Sequence, residues 1–319
     1  MGQSVIIMNS QQQNISSSIY VEKRDNMNVY VKTYTEGNWE ATSDIVRKRA
    51  IREAEILRNL QRVRSFYHRL GVLTLVESDP DSSIIVTQEA PGRPLGDFLN
   101  EEYRSVYIKT ATPVYLAGKW LRQWQKMDFP NINGVPIGKK SPLNLESYFR
   151  IRLATIKEYG YRRVSDSDHR SIIRALEILI EDAESQDKAH CWAHGDYGPG
   201  NVLWDGKILT AIDFATAELN VPLLDVTYFI HRMEMLKIYF PWKRWPLELW
   251  QRAFLRGYGR PDAEESPMYR ALMMRHLLCR LQTYIRRPPK NLKQRIHNKW
   301  VRECVRRKLM QLVKKTFQE

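Results

Sequence analysis

The stretch His194-Gly195-Asp196-Tyr197-Gly198-Pro199-Gly200-Asn201-Val202-Leu203-Trp204 sets the carboxylate of Asp196 and the carboxamide of Asn201 five positions apart. Gly198, Pro199 and Gly200 permit a tight loop that aims both side chains at one place. Two short β-like runs follow at 201–204 and 207–212, joined by Asp205-Gly206, a strong hairpin turn. A hairpin returns the chain on itself. Asn201, which opens its first strand, and Asp213, which closes the second in Ile212-Asp213-Phe214, therefore come to the same end. Residues 194–213 thus gather one carboxylate placed to take a proton and an amide–carboxylate pair suited to a hard cation.

Outward from this stretch the chain has two characters. Upstream, 19–23 and 28–34 are short β-like runs around Arg24-Asp25-Asn26, which reads as a hairpin turn. From Asn38 to about Arg62, apolar residues Ile45, Ala50, Ile51, Ala54, Ile56, Leu57 and Leu60 recur at three- and four-residue steps, the mark of a helix. Two further β-rich runs, 72–77 and 83–88, flank a turn at Pro80-Asp81. A Pro/Gly connector follows, Gln88 to Leu95. After it, helical segments dominate at about 112–127, 145–159, 168–185, 222–238, 246–257 and 265–286, and there are no internal repeats. Residues 1–18, with Gln11-Gln12-Gln13 and Ser16-Ser17-Ser18, read as a flexible or irregular start. The expectation is an α+β fold with a small β-rich N-terminal lobe (1–90), a hinge near 88–94, and a mainly helical lobe (91–319) carrying one β-hairpin. That layout suits a ligand bound between lobes.

Phosphoryl transfer from a nucleotide needs a carboxylate for the proton of the attacking hydroxyl and oxygen ligands for Mg²⁺. The spacing of Asp196 and Asn201 equals that of the kinase pattern H-R-D-x-x-x-x-N. The stretch also resembles the aminoglycoside phosphotransferase / choline kinase family, of protein-kinase-like fold, whose loop reads roughly H-G-D-x-x-x-x-N followed by a hairpin and I-D-[FW]. The resemblance implies Asp196 as catalytic base and Asn201 and Asp213 as metal ligands. It further implies His194 as a structural member of the loop, and Asp225 in Pro222-Leu223-Leu224-Asp225-Val226 as a helix-start brace. The competing reading is of ordinary polar loop and hairpin residues.

The upstream sequence is consistent with that resemblance. A kinase holds the α/β-phosphates with a strand lysine that pairs with a helix glutamate. Val29-Tyr30-Val31-Lys32-Thr33-Tyr34 alternates as a strand and contains Lys32. In Arg52-Glu53-Ala54-Glu55-Ile56-Leu57, Glu53 fits the family's R-E-A-x-x-L register, and Glu55 faces elsewhere on the helix. The run 84–95 resembles the family's last strand and hinge, so backbone groups of Gln88, Glu89 and Ala90 are expected at the adenine edge. Taken alone, Lys32 reads equally as a solvated strand lysine, and 88–95 as a plain connector. Two departures stand. No G-x-G-x-x-G precedes Lys32, and residues 19–28 hold no glycine. Gly134 to Ser141 imitates a phosphate loop but fails on spacing and is broken by Pro136, so it reads as a loop.

The chain has 319 residues, 43% hydrophobic and 27% charged, enough for a packed core, with a formal net charge of +14. Residues 286–319 hold 12 Lys/Arg against Glu303 and Glu319, so +10 of that excess sits there. From Leu292 to Phe317 the pattern is a basic amphipathic helix with the stripe Ile296, Trp300, Val301, Val305, Leu309, Leu312 and Val313. Docking on the helical lobe, lying on an anionic membrane surface and binding nucleic acid are the three readings of this helix, nucleic acid being the least favoured. Cys191, Cys279 and Cys304 fit neither a disulfide framework nor a zinc site, and free, mostly buried thiols are expected. Without an apolar run of membrane-spanning length or a signal peptide, the chain reads as cytoplasmic, with a peripheral membrane position left open by the basic helix.

The expected activity is an ATP-dependent, Mg²⁺-requiring kinase acting on a small-molecule hydroxyl. Acidic residues available near an acceptor (Asp97, Glu101, Glu102, Glu218) are few. Polycationic acceptors need acidic pockets, so a sugar or sugar-containing metabolite is preferred to an aminoglycoside. The alternative is a catalytically silent, kinase-like nucleotide-binding or scaffolding module.

Overall fold

The computed structural model describes all residues except 1–6, 14–16, 25–26, 37–41, 64–67, 106, 128–144 and 319. The loop 134–141 lies outside the described residues, as do Asp25 and Asn26. In chain order the strands are β1 (Ile7–Gln13), β2 (Ser17–Arg24), β3 (Met27–Tyr34), β4 (Leu70–Gly71), β5 (Leu75–Asp79), β6 (Ile84–Gln88), β7 (Arg93–Pro94), β8 (Cys191–Ala193), β9 (Val202–Trp204), β10 (Leu209–Ala211) and β11 (Glu218–Asn220). The helices are α1 (Ser43–Arg62), α2 (Leu95–Glu102), α3 (Tyr107–Trp124), α4 (Leu145–Glu158), α5 (Asp166–Glu181), α6 (Ser185–Lys188), α7 (Leu223–Tyr239), α8 (Leu247–Tyr258), α9 (Pro267–Arg286) and α10 (Leu292–Thr316). The α+β class follows: a β-rich N-terminal region and a mostly helical remainder.

Two compact units divide the chain, and neither is continuous in sequence. The first holds 1–101, 126–137 and 194–218, the second 102–125, 138–193 and 219–319. This division differs from the contiguous boundaries 1–90 and 91–319. The reason is strand pairing: β10 runs parallel to β4, and β9 runs antiparallel to β7. The hairpin 202–211 is thereby stitched to segments more than a hundred residues upstream.

In the first unit a five-stranded sheet has the order β1-β2-β3-β6-β5. Alternation buries Val29, Val31 and Val86 on one face, with Tyr20 and Ile84 packed against them. Helix α1 buries Val46, Ala50, Ala54, Ile56, Leu57 and Leu60, and packs on β3, β5 and β6. β1 corrects the expectation of an irregular start. Its sequence IMNSQQQ lacks apolar alternation, and its pairing to β2 through Met8↔Val21 and Gln12↔Ile19 is supplied by backbone groups.

In the second unit α3 and α8 lie so close that a Cβ on Gly257 would stand 1.9 Å from the carbonyl oxygen of Tyr115. Phe229 of α7 stacks on Phe254 of α8 at 4.2 Å. α9 is buried along most of its length and packs against α10, α7, α4 and α5. The stripe read on α10 splits. Val301, Val305, Leu309 and Val313 are buried, while Ile296 and Trp300 are exposed. The docking reading therefore holds for the C-terminal part of α10. The three cysteines are free and half-buried rather than fully so. Burial, with the Asp225 carboxylate adding to it, pushes the Cys191 thiol up to about 12. Among the described residues no helix is long and apolar enough to cross a membrane.

His231 and His276 stack at 5.7 Å, and Thr227 Oγ1 lies 3.0 Å from His276 Nε2. Burial pushes both imidazoles well below their ordinary value, with Arg280 adding to the shift of His231 and Arg275 to that of His276. The folded state therefore refuses protons that the unfolded chain accepts below about pH 6.5. Stability should be flat above pH 7 and fall below about 6.5, by up to about 1.4 kcal/mol per pH unit per histidine. Urea denaturation between pH 5 and 8.5 measures this, and His231→Phe should reduce the acid slope. Separately, Gly257→Ala should cost about 1–3 kcal/mol, because the helix backbones must part.

Candidate active site

The first unit brings Lys32, Glu53 and Asp213 together. β3 carries Lys32, whose Nζ donates to Glu53 Oε2 at 2.9 Å and to Asp213 Oδ1 at 2.7 Å. Glu53 is buried on α1 and accepts two more hydrogen bonds. One comes from the Tyr34 hydroxyl and one from the Phe214 N–H to Oε1 at 3.0 Å. Glu55 turns away and takes Arg58 at 2.6 Å instead. The Lys32 ammonium also lies 4.6 Å from the centroid of the Tyr34 ring. Burial alone would lower the lysine, but Glu53, Tyr34 and Asp213 outweigh it and hold it well above its ordinary value, so it stays charged. Burial likewise works to raise the Asp213 carboxyl, yet the Lys32 charge wins and holds it below the usual range. Asp213 adopts φ +67, the left-handed region that a non-glycine residue enters only when its surroundings impose it.

Asp196 and Asn201 form a second group. Asn201 Nδ2 donates to Asp196 Oδ2 at 3.0 Å and to the Asp196 carbonyl at 2.9 Å. Both amide hydrogens are thereby used, and Oδ1 is left as the free end of the carboxamide. The Asn201 carbonyl accepts from the Ile212 N–H at 3.0 Å, so the hairpin sets Asn201 beside the residue preceding Asp213. His194 is fully buried. Its Nε2–H donates to the Ile212 carbonyl at 3.0 Å, and its ring packs against Phe214 and Tyr197. Thr216 Oγ1 donates to the His194 carbonyl at 3.1 Å. Gly195, at φ +82, lets the loop pass Thr216, whose carbonyl oxygen would stand 2.4 Å from a Cβ there.

The donor set can be tested against a metal. Asn201 Oδ1 and the Asp213 carboxylate are hard oxygen donors. Among the described residues no group of three or more His, Cys, Asp or Glu could hold a metal ion. The two oxygen donors fit Mg²⁺, which takes one or two protein oxygens and completes its octahedron with water and phosphate.

Of the remaining expected residues, Gln88 ends β6 and Glu89 and Ala90 follow it. The Gln88 N–H donates to Thr74 O at 2.8 Å and the Glu89 N–H to Asn28 O at 3.0 Å. The Glu89 carboxylate accepts from Asn28 Nδ2 at 2.8 Å. Two of the three backbone donors expected at the adenine edge are thus engaged within the protein. The Ala90 N–H makes no hydrogen bond among the described residues. Asp225 is fully buried in the first turn of α7, in the second unit. Sequence reasoning missed Tyr34 and Thr216. Tyr34 was legible, because it stands two residues from Lys32 and so shares its face of β3. Thr216 had no local signal. Tyr34→Phe should lower stability by about 1.5–3 kcal/mol, the range for a hydrogen bond to a charged group, read by chemical denaturation.

Residues 114–272 match the model of the phosphotransferase enzyme family. No curated protein matches in sequence. Among solved structures the chain is similar to a putative aminoglycoside phosphotransferase from Ralstonia eutropha JMP134, with 12% identity, TM-score 0.66, and coverage of 99% of this chain and 94% of that one. A Plasmodium vivax ethanolamine kinase gives 12%, 0.59, 95% and 82%. A thermostable mutant of aminoglycoside phosphotransferase APH(4)-Ia, in ternary complex with AMP-PNP and hygromycin B, gives 17%, 0.57, 97% and 94%. The matched segment contains the loop and hairpin 194–213 and carries the likeness to the phosphotransferase enzyme family, and the solved structures show that the chain has a protein-kinase-like fold.

Proposed function

We propose that the protein is an ATP-dependent small-molecule kinase that transfers the γ-phosphoryl group to a substrate hydroxyl. The observation that carries this reading is the Lys32–Glu53–Asp213 cluster beside the Asp196–Asn201 pair, because phosphoryl transfer asks for positioning and charge more than for covalent partners. Of the three protons on Lys32 Nζ, two are held by Glu53 and Asp213, and the third is left for an α- or β-phosphate oxygen. Asn201 Oδ1 and Asp213 would hold Mg²⁺, which would supply positive charge to offset that of the phosphates. Asp196 keeps Oδ2 on the Asn201 amide and accepts the acceptor's hydroxyl proton at Oδ1. The hydroxyl oxygen bonds to the γ-phosphorus as the bond to the β-bridging oxygen breaks, and ADP leaves. His194 holds the loop against Ile212, and Asp225 acts as a brace at the start of α7. In the 1–90 lobe, the Ala90 N–H and the Glu89 carbonyl serve the adenine edge.

The acceptor reading is a sugar or a sugar-containing metabolite. The similar proteins are named for aminoglycosides, for a macrolide and for ethanolamine, so the fold leaves the acceptor open. The surplus of positive charge argues against a polycationic one.

ATP consumption across sugars, lipid-linked saccharides, amino alcohols and aminoglycosides tests both parts. Turnover with the saccharides is expected, and reaction with aminoglycosides alone would overturn the acceptor reading. With an accepted substrate, Asp196→Asn should lower kcat by about 10²–10⁴-fold, the contribution of a positioned general base. Undiminished turnover would remove Asp196 from that role. A nucleotide-binding but silent module would show ATP affinity and no turnover in the unmodified protein.

A further inference from the structure

The apolar residues that α10 leaves outside the helical unit are concentrated at one end. Leu292 is 71% exposed, Ile296 62% and Trp300 48%. They stand at i, i+4 and i+8, so they form one stripe over the first turns of the helix. The indole Nε1–H of Trp300 donates to the Ile238 carbonyl at 2.9 Å, which anchors this end of α10 against the last turn of α7. Tyr239 and His297 meet there at 6.0 Å. Three residues beyond α7, Trp242 is 73% exposed and packs edge-on against Phe240, at 5.7 Å. Four large apolar side chains thus project from two segments that meet.

The charge around them has one sign. Residues 235–247 and 266–302 contain no Asp or Glu. Lys237, Arg244, Arg287, Lys290, Lys293, Arg295 and Lys299 are exposed. None of them is paired with a carboxylate among the described residues, whereas the next acid along α10, Glu303, is saturated by Arg163, Arg306 and Arg307. An exposed Leu/Ile/Trp stripe rimmed by unpaired cations is the pattern of a helix lying in the headgroup region of an anionic bilayer. There the apolar side chains enter the acyl boundary, the indoles sit at headgroup level, and Lys and Arg meet lipid phosphates. Nucleic acid would use the cations and leave the aliphatic stripe unexplained.

We propose that the first turns of α10 together with the Trp242 segment dock the protein on an anionic lipid surface. The site involves none of the residues assigned to phosphoryl transfer, so it stands or falls independently of that reading.

Flotation of the full-length protein with phosphatidylcholine vesicles, and with 3:1 phosphatidylcholine/phosphatidylglycerol vesicles, tests it. Binding to the anionic vesicles only is expected, weakened severalfold by 0.5 M NaCl because exposed charges are screened. Leu292→Ser with Ile296→Ser should reduce binding at least tenfold, and Lys293→Glu with Lys299→Glu should do the same. All four positions are exposed, so the melting temperature should be unchanged. Three results would overturn the proposal: no binding to anionic vesicles, binding that survives the serine pair (attraction to any polyanion), or a dimer by sedimentation that the serine pair dissolves (a second copy as occupant).

Discussion

The ammonium of Lys32 is the point on which the candidate site depends. It is largely buried, and taking such a charge out of water costs several kcal/mol unless it is paired with good geometry. Glu53 and Asp213 pair it, and in doing so they tie three elements distant in sequence: β3, α1 and the turn that follows β10. The tie is not an efficient way to stabilise a fold, since apolar residues of the same volume often serve as well. What it supplies is registration. Glu53 also accepts the Phe214 N–H, so the backbone on the far side of Asp213 is fixed by the same carboxylate that fixes the lysine. That double hold accounts for how Asp213 keeps φ +67, a conformation that costs about 1–3 kcal/mol where nothing enforces it. One cation between two carboxylates leaves a formal charge of −1, a surroundings in which a further cation is favoured.

The grouping of the candidate residues was legible because their spacing is local. Asp196, Asn201 and Asp213 lie on one loop and one hairpin, and a two-residue turn fixes where the strand ends fall. The pairing of Lys32 with Glu53 was legible through strand alternation together with the resemblance to the family's R-E-A-x-x-L register. α4, α5, α7, α8 and α9 were legible because their apolar residues repeat at helical steps, with ends displaced by up to two residues except the C-terminus of α5, which stops four residues earlier, at Glu181. β1 was not, since an outer strand of polar residues is held by its neighbour's backbone, and backbone pairing leaves no mark on side-chain pattern. The unit boundaries were hidden for a related reason. The pairing of Leu209 with Leu70, and of Arg93 with Trp204, joins segments whose contact no window of sequence can contain. The segment 88–95, read as a hinge or a plain connector, also contributes β7 to a four-stranded sheet of order β4-β10-β9-β7.

The backbone donors after β6 show how much a placement at a strand end leaves undecided. The residues Gln88 to Ala90 stand at the end of the strand, as the pattern implied. Which of their amides can meet a ligand is decided by Thr74 and Asn28, whose carbonyls take the first two. Residue type carries no information on this, because the partners are backbone atoms.

The basic helix makes the corresponding point about charge. Its surplus was legible as a total, yet the total misstates what a partner would meet. Glu303 takes three arginines and is held at about 2 by the hydrogen bonds from Arg306, Arg307 and Arg163, and Lys308 reaches Glu234 at 2.5 Å. The middle of α10 is therefore neutralised within the helical unit, and its apolar side is covered by α9 and α5. The first turns differ: no carboxylate stands on α10 before Glu303, and Leu292, Ile296 and Trp300 stay exposed although Asn298 between them is buried. A sequence stripe runs through both halves without a break, because periodicity records which residues share a face and not how far the neighbouring helices extend. The length of α9 and α7 decides where the face of α10 changes from core to surface, and that is a property of packing alone.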